Sequence, residues 1–109
     1  MAAEFKVTSD EQGLFHFVYF NGRGERLMSG PTFSDRRLTD QAIQEVRVGS
    51  MMSQFISKGQ TADGDLYFRI SNQNGETVAQ SVTFDNEMVF NNALHQVRDG
   101  ACVATVTYE

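Results

Sequence analysis

The side chains able to do chemistry in this chain are few: His16, His95, Cys102, and a recurring set of Arg47, Arg98, Glu25 and Glu76. A metal centre needs His, Cys and carboxylates at converging spacings, and the sequence has neither His-x-x-x-His nor Cys-x-x-Cys. Both histidines therefore read as solvated or core-edge side chains. A nucleophile at Cys102 would need a base and a cleft. The thiol sits at the start of an expected strand and reads instead as a packing residue. "NGRGE" contains Gly-x-Gly, but between two strands, so it offers no helix N-terminus to a phosphate. "DGD" at 63–65 is too short for a calcium loop and reads as a turn. No catalytic residue, metal ligand or cofactor is expected, and the chain does not read as an enzyme.

Arg47 and Arg98 fall near the ends of two expected helices, where a cation complements the helix dipole, with Glu25 and Glu76 as possible partners. A symmetric pair of anion-binding arginines is the competing reading. The remaining candidate is a surface. In "LFHFVYF" side chains alternate, so Phe15, Phe17 and Tyr19 share one face and His16, Val18 and Phe20 the other. In "DLYFRIS" Leu66, Phe68 and Ile70 oppose Tyr67, Arg69 and Ser71. The first set of each is expected buried and the second partly wet. His16, Val18, Phe20, Tyr67 and Arg69 form the candidate interaction surface. Aromatics on an open sheet are first of all ordinary sheet surface; beyond that they suit a non-enzymatic protein-association or ligand-binding domain, self-association included, or, as the alternative, stacking of single-stranded nucleic acid.

The elements that must position these residues are written twice. Gly13–Ser50 aligns without a gap on Gly64–Ala101, with 11 identical pairs over 38 positions. They include Phe17/Phe68, Asn21/Asn72, Gly24/Gly75, Glu25/Glu76 and Gly49/Gly100. This is a duplication with an offset of 51 residues. Each copy opens with a strand ("EFKVT" at 4–8, "QFISK" at 54–58), continues through the alternating strand, and turns at "NGRGE" or "NQNGE". A third strand follows ("ERLMSG", "ETVAQS"). Leu38, Ala42, Ile43 and Val46 then form one helical stripe, as do Val89, Ala93, Leu94 and Val97. Ser34 or Asp35, and Asp85 or Asn86, are the expected N-caps. Gly49 and Gly100 are the expected left-handed stops. "ACVATVTYE" reads as a final strand.

One copy is about 50 residues, a small sheet with one helix, marginal for folding alone. The expectation is an α+β fold of two tandem β-β-β-α-β repeats (about 4–50 and 54–109) in a single domain, 1–109. They form one antiparallel sheet with two helices on one face, pseudo-twofold symmetric, with C-terminal strands exchanged between the halves. The net charge of −5 leaves phosphate backbones poorly neutralised and argues against nucleic acid. A single cysteine excludes an internal disulfide. Residues 1–13 carry no basic segment followed by an apolar run, and no stretch approaches the ~20 apolar residues of a membrane span. A cytoplasmic location and no membrane partner are expected by elimination.

The ordered motifs "GLFHF…GE…TF…AIQEVR" and "GDLYF…NGE…TF…ALHQVR" resemble the YegP-like family of small bacterial proteins over nearly the whole chain. The resemblance implies one antiparallel sheet from two repeats with exchanged C-terminal strands; single-repeat relatives assemble as homodimers. It implies no established activity and no site residues. The chain departs from the family's pattern at Ala42 and Ala93, where Gly is usual, and at Phe33 and Phe84, where Tyr is usual. It departs again at the helix starts "SDRRLTD" and "DNEMVFN", where lysines are usual.

Overall fold

The computed structural model describes residues 2–109 and has seven strands and two helices. In chain order they are β1 (Glu4–Ser9), β2 (Phe15–Phe20), β3 (Arg26–Ser29), α1 (Arg36–Ser50), β4 (Ile56–Gln60), β5 (Leu66–Ser71), β6 (Thr77–Ser81), α2 (Glu87–Gly100) and β7 (Thr105–Tyr108). The strands make one sheet in the order β4-β5-β6-β3-β2-β1-β7. Every pairing is antiparallel except β1 with β7, which is parallel. The all-antiparallel sheet expected above is thus corrected at one edge. The place beside β2 is already held by β1, so the strand leaving α2 adds outside β1 and runs alongside it.

Four tight turns set the hairpins. Asn21 Oδ1 accepts from the Arg23 and Glu25 N–H groups, and Gly24 takes φ +79°. Asn72 repeats this with Asn74, Glu76 and Gly75 at φ +80°. A short side-chain acceptor followed by a residue of positive φ turns the chain at little cost, and Gly alone takes that φ freely. Each Asn also donates from Nδ2 to the Glu four positions on, at 2.9 and 3.1 Å. The recurring glutamates therefore serve the turns, and the expected pairing with Arg47 and Arg98 is not made.

Alternation holds in both long strands. Phe17, Tyr19, Phe68 and Ile70 are fully buried, with Phe5 and Val7 of β1, Ile43 and Val46 of α1, and Val97 of α2 in the same core. Phe5 meets Phe17 edge-on at 5.9 Å, and Phe90 meets Phe68 at 6.1 Å and Phe84 at 5.9 Å, the tilted geometries aromatic pairs favour.

The helices correct several expectations. Asp35 and Asn86 are the N-caps, accepting from the backbone N–H of Leu38 and of Met88 and Val89. Leu38 and Val89 leave the stripe, at 38% and 51% exposed, and Thr39 and Phe90 are buried in their place. The run 39, 42, 43, 46 fits a 3.6-residue period better than one beginning at 38, and Thr39 Oγ1 donates internally to the Asp35 carbonyl. Gly49 and Gly100 are not left-handed stops, since neither has positive φ and each lies inside its helix. A Cβ on Gly49 would lie 2.5 Å from Ile70 Cγ2, and one on Gly100 would lie 2.6 Å from Tyr19 Oη. These glycines let each helix press onto a strand of the opposite half of the chain. The final strand is shorter than "ACVATVTYE", because Ala101–Val103 form a 3₁₀ turn. A second such turn, Ser53–Phe55, precedes β4.

Candidate functional site

The face of the sheet opposite the helices is uncovered. Across it, Lys6, Val18, Ser29, Gln80, Arg69 and Ser57 are successive cross-strand partners, so they form one row from β1 to β4. None of the six is buried. The candidate residues all point out from this face, in two groups. His16, Val18 and Phe20 lie on β2, half-buried, opposite Thr8, Lys6 and Glu4 of β1. Tyr67 and Arg69 lie on β5, and β3 and β6 intervene. Three strand spacings separate the groups by about 14 Å. Sequence alternation found the face but not the distance across it.

Within the second group, Arg69 Nη2 donates to the Tyr67 hydroxyl at 3.0 Å and the guanidinium lies 5.2 Å from the ring centroid. Planar guanidinium against a phenol is a common protein-contact element and also a base-stacking one. Around the first group the charges are mixed. Lys6 pairs with Glu109 at 3.0 Å, which holds its ammonium above the usual lysine range, and Glu4 accepts from Thr107. A phosphate approaching β2 would meet carboxylates as well as one lysine already engaged.

The groups considered for chemistry are dispersed. His95 is exposed on α2, where its Nε2 lies 3.0 Å from Asp99 Oδ2, while His16 is on the outward sheet face. Cys102 is half-buried in the 3₁₀ turn rather than at a strand start, with Sγ 4.0 Å from the Asp99 carbonyl. Among the described residues no three His, Cys, Asp or Glu side chains group as a metal site would require, and no helix is long and apolar enough to cross a membrane.

Two clefts lie where a helix end meets a hairpin of the other half, and sequence reading missed both. One, of about 330 Å³, runs between α1 and the β5–β6 hairpin, by Gly49, Phe55 and Asn72. The other, of about 380 Å³, runs between α2 and the β2–β3 hairpin, by Tyr19, Asn21, Gln96 and Gly100. In the second, Asn21 Nδ2 donates to Gln96 Oε1 at 2.9 Å, tying hairpin to helix across 75 residues. Tyr19 Oη is buried with no hydrogen-bond partner among the described residues, and burial pushes its pKa up to about 12, with the nearby Cys102 adding to the shift. The signal that could have found these clefts was the identity of Asn21 with Asn72 and of Gly49 with Gly100.

Arg47 and Arg98 also part company. Arg47 Nη2 donates to the Ala104 carbonyl at 2.6 Å, just ahead of β7, and its guanidinium lies 5.8 Å from the Phe5 ring. Arg98 is exposed and makes no side-chain hydrogen bond or ion pair among the described residues. The two are not a matched anion site.

Comparison with solved structures places this architecture. The solution NMR structure of UPF0339 protein SO3888 from Shewanella oneidensis superposes with a TM-score of 0.93 at 17% identity, over 99% of this chain and 92% of that one. The solution NMR structure of yegP from E. coli, described as a protein of unknown function, gives 0.92 at 20% identity, over 100% and 94%. No protein-family model and no curated protein matches the chain. The coarse expectation from the YegP-like resemblance, an α+β fold with two helices on a mostly antiparallel sheet, agrees with the fold observed. At these identities the likeness establishes the fold, and neither neighbour brings an assigned activity with it.

Proposed function

We propose that this chain is a non-enzymatic association domain of the YegP-like family, acting in the cytoplasm and binding a protein partner through its uncovered sheet face. One observation carries the reading: both helices press on the same side of a seven-stranded sheet, leaving Val18, Phe20, His16 and Tyr67 half-buried on the other. Half-exposed apolar and aromatic side chains on a rigid sheet are what protein contacts use. The mixed charges of Glu4, Lys6 and Glu109 around β2 favour a protein over a polyanion.

We further read the domain as an internally fused dimer, two repeats about a pseudo-twofold axis with exchanged ends. The sheet register supports this reading. In the row Lys6, Val18, Ser29, Gln80, Arg69, Ser57, the first three residues and the last three are related by the same 51-residue offset as the sequence repeat, in mirrored order. The close approaches Gly49–Ile70 and Gly100–Tyr19 are related by it too. The exchange reading draws on β7 pairing with β1 and on each helix crossing to the other half.

The test is a pull-down from lysate with wild type and with the double substitution His16→Ala, Phe20→Ala. The variant should fold as the wild type does and lose the captured partner. Capture that survives in the variant would overturn the sheet-face reading. A low-salt gel shift with a single-stranded oligonucleotide that weakens as salt rises would favour nucleic acid instead.

A further inference from the structure

We propose that the free edge of β4 is a strand-addition site for an extended segment of another protein, running parallel to β4 with an acidic side chain opposite Lys58. The proposal rests on the reading of the chain as an association domain but uses a different surface from the outward face. β4 ends the sheet order, so one side pairs with β5 and the other has no strand partner among the described residues, although the Ile56 N–H donates to the Ser53 carbonyl of the preceding 3₁₀ turn. Its counterpart at the 51-residue offset, β1, has a second partner. That partner is β7, in parallel register from Glu4↔Thr105 to Val7↔Tyr108. The same molecule therefore displays, at one edge, what the other edge lacks.

Carrying that register across the offset sets an incoming strand opposite Ile56, Ser57 and Lys58, with its first residue beside Phe55 at the end of the 3₁₀ turn. At the filled edge Val106 pairs with Phe5 and packs on the core; the counterpart of Phe5 is Ile56, so the second incoming residue should be apolar. Met51 and Met52, exposed on the approach to β4, add adaptable apolar surface. The fourth residue, Tyr108, pairs with Val7, whose counterpart is the exposed Lys58. An acidic residue matches it, since opposite charges across a strand pair attract. Arg47 clasps the carbonyl just ahead of β7, and the unengaged Arg98, its counterpart on α2, is the matching donor for the incoming segment.

A second copy fits less well. Its β7 is already spent on its own β1, and two β4 edges meeting antiparallel in full register, centred on residue 58, would set lysine against lysine. Strand addition of this kind draws affinity from main-chain hydrogen bonds and selectivity from alternate side chains.

The test titrates the 15N-labelled full chain with a blocked peptide of this chain's own residues 104–109, ATVTYE, and with the same peptide carrying Tyr108→Glu. Amide shifts should be confined to β4 and the Arg98 region, and amides on the free edge of β4 should exchange roughly fivefold more slowly when bound. The acidic peptide should bind roughly two- to fivefold more tightly, and Lys58→Glu in the protein, at an exposed position, should reverse that order. The proposal is overturned by the absence of β4 shifts at millimolar peptide, or by a peptide order that Lys58→Glu leaves intact. Shifts that fall on His16, Val18 and Phe20 overturn it as well, as does a peptide-free dimer joined through β4. Failure here leaves the pull-down at the outward face unaffected, so the two readings fail separately.

Discussion

The two halves of the sheet recur at a 51-residue offset, yet their outer strands, EFKVTS and ISKGQ, share no residue at that offset and are finished differently. At one, β1 is covered by β7, Arg47 holds the Ala104 carbonyl, and Asn21 is buried against Gln96. At the other, β4 is bare, Arg98 is unengaged, and Asn72 is bonded within its own hairpin. What the halves share is backbone logic, namely the Asn-x-x-Gly-Glu turn, the core Phe and the close-packing Gly. What they do not share is what each side chain finds beside it. Identity between copies specifies where a residue stands, and the neighbours decide what it does.

The comparison can be broken first in the core. Phe17→Ala and Phe68→Ala should each cost roughly 3–5 kcal/mol in denaturant melts, and by similar amounts, since both rings are fully buried in one cluster. A near-neutral result for one would show that the two halves do not bear on a common core.

Next comes the phenol that one half has and the other replaces with Ile70. Tyr19 titrates near 12 when folded and near 10 when unfolded, so its neutral form favours the folded state. That contribution is whole below pH 10 and is lost as pH rises toward 12, a fall of about 3 kcal/mol. Tyr19→Phe should flatten this alkaline limb. At neutral pH it should be neutral or slightly stabilising, because it removes an unpartnered buried hydroxyl.

The glycines sharpen the contrast further. Gly49→Ala and Gly100→Ala gain helix propensity but press a methyl into Ile70 and Tyr19, a cost of roughly 1–3 kcal/mol. Tyr19→Phe should partly rescue Gly100→Ala and leave Gly49→Ala unchanged, which a double-mutant cycle reads directly. The smallest contrast is between the arginines. Arg47→Ala should cost about 1–2 kcal/mol and speed amide exchange in β7, whereas Arg98→Ala should change stability by less than about 0.5 kcal/mol.

Local chemistry was legible in the sequence where it depends on near neighbours. The alternation at 15–20 and 66–71, the N-caps to within one residue (Ser34 or Asp35, Asp85 or Asn86), and the turns at NGRGE and NQNGE all follow from short-range rules. The helix stripe slipped by one residue because Thr39 reads as polar, and only its internal bond to Asp35 makes it a buried side chain. Gly49 and Gly100 read as terminators because a close approach to Ile70 or Tyr19 is invisible in one dimension. His16, Val18, Phe20, Tyr67 and Arg69 alternate onto the face opposite the buried set, as period-two spacing implies, but their division into two groups follows from strand order, which residues far apart in the chain decide. The parallel partnership of β1 and β7 was hidden for the same reason.

That partnership bears on how the molecule is made. β1 leaves the ribosome well before β7, yet they lie side by side. Until β7 emerges β1 has an unfilled flank, and Tyr19 waits for Gly100. Such long-range closure slows folding and lengthens the interval in which an emerging chain is vulnerable to aggregation or to chaperone capture.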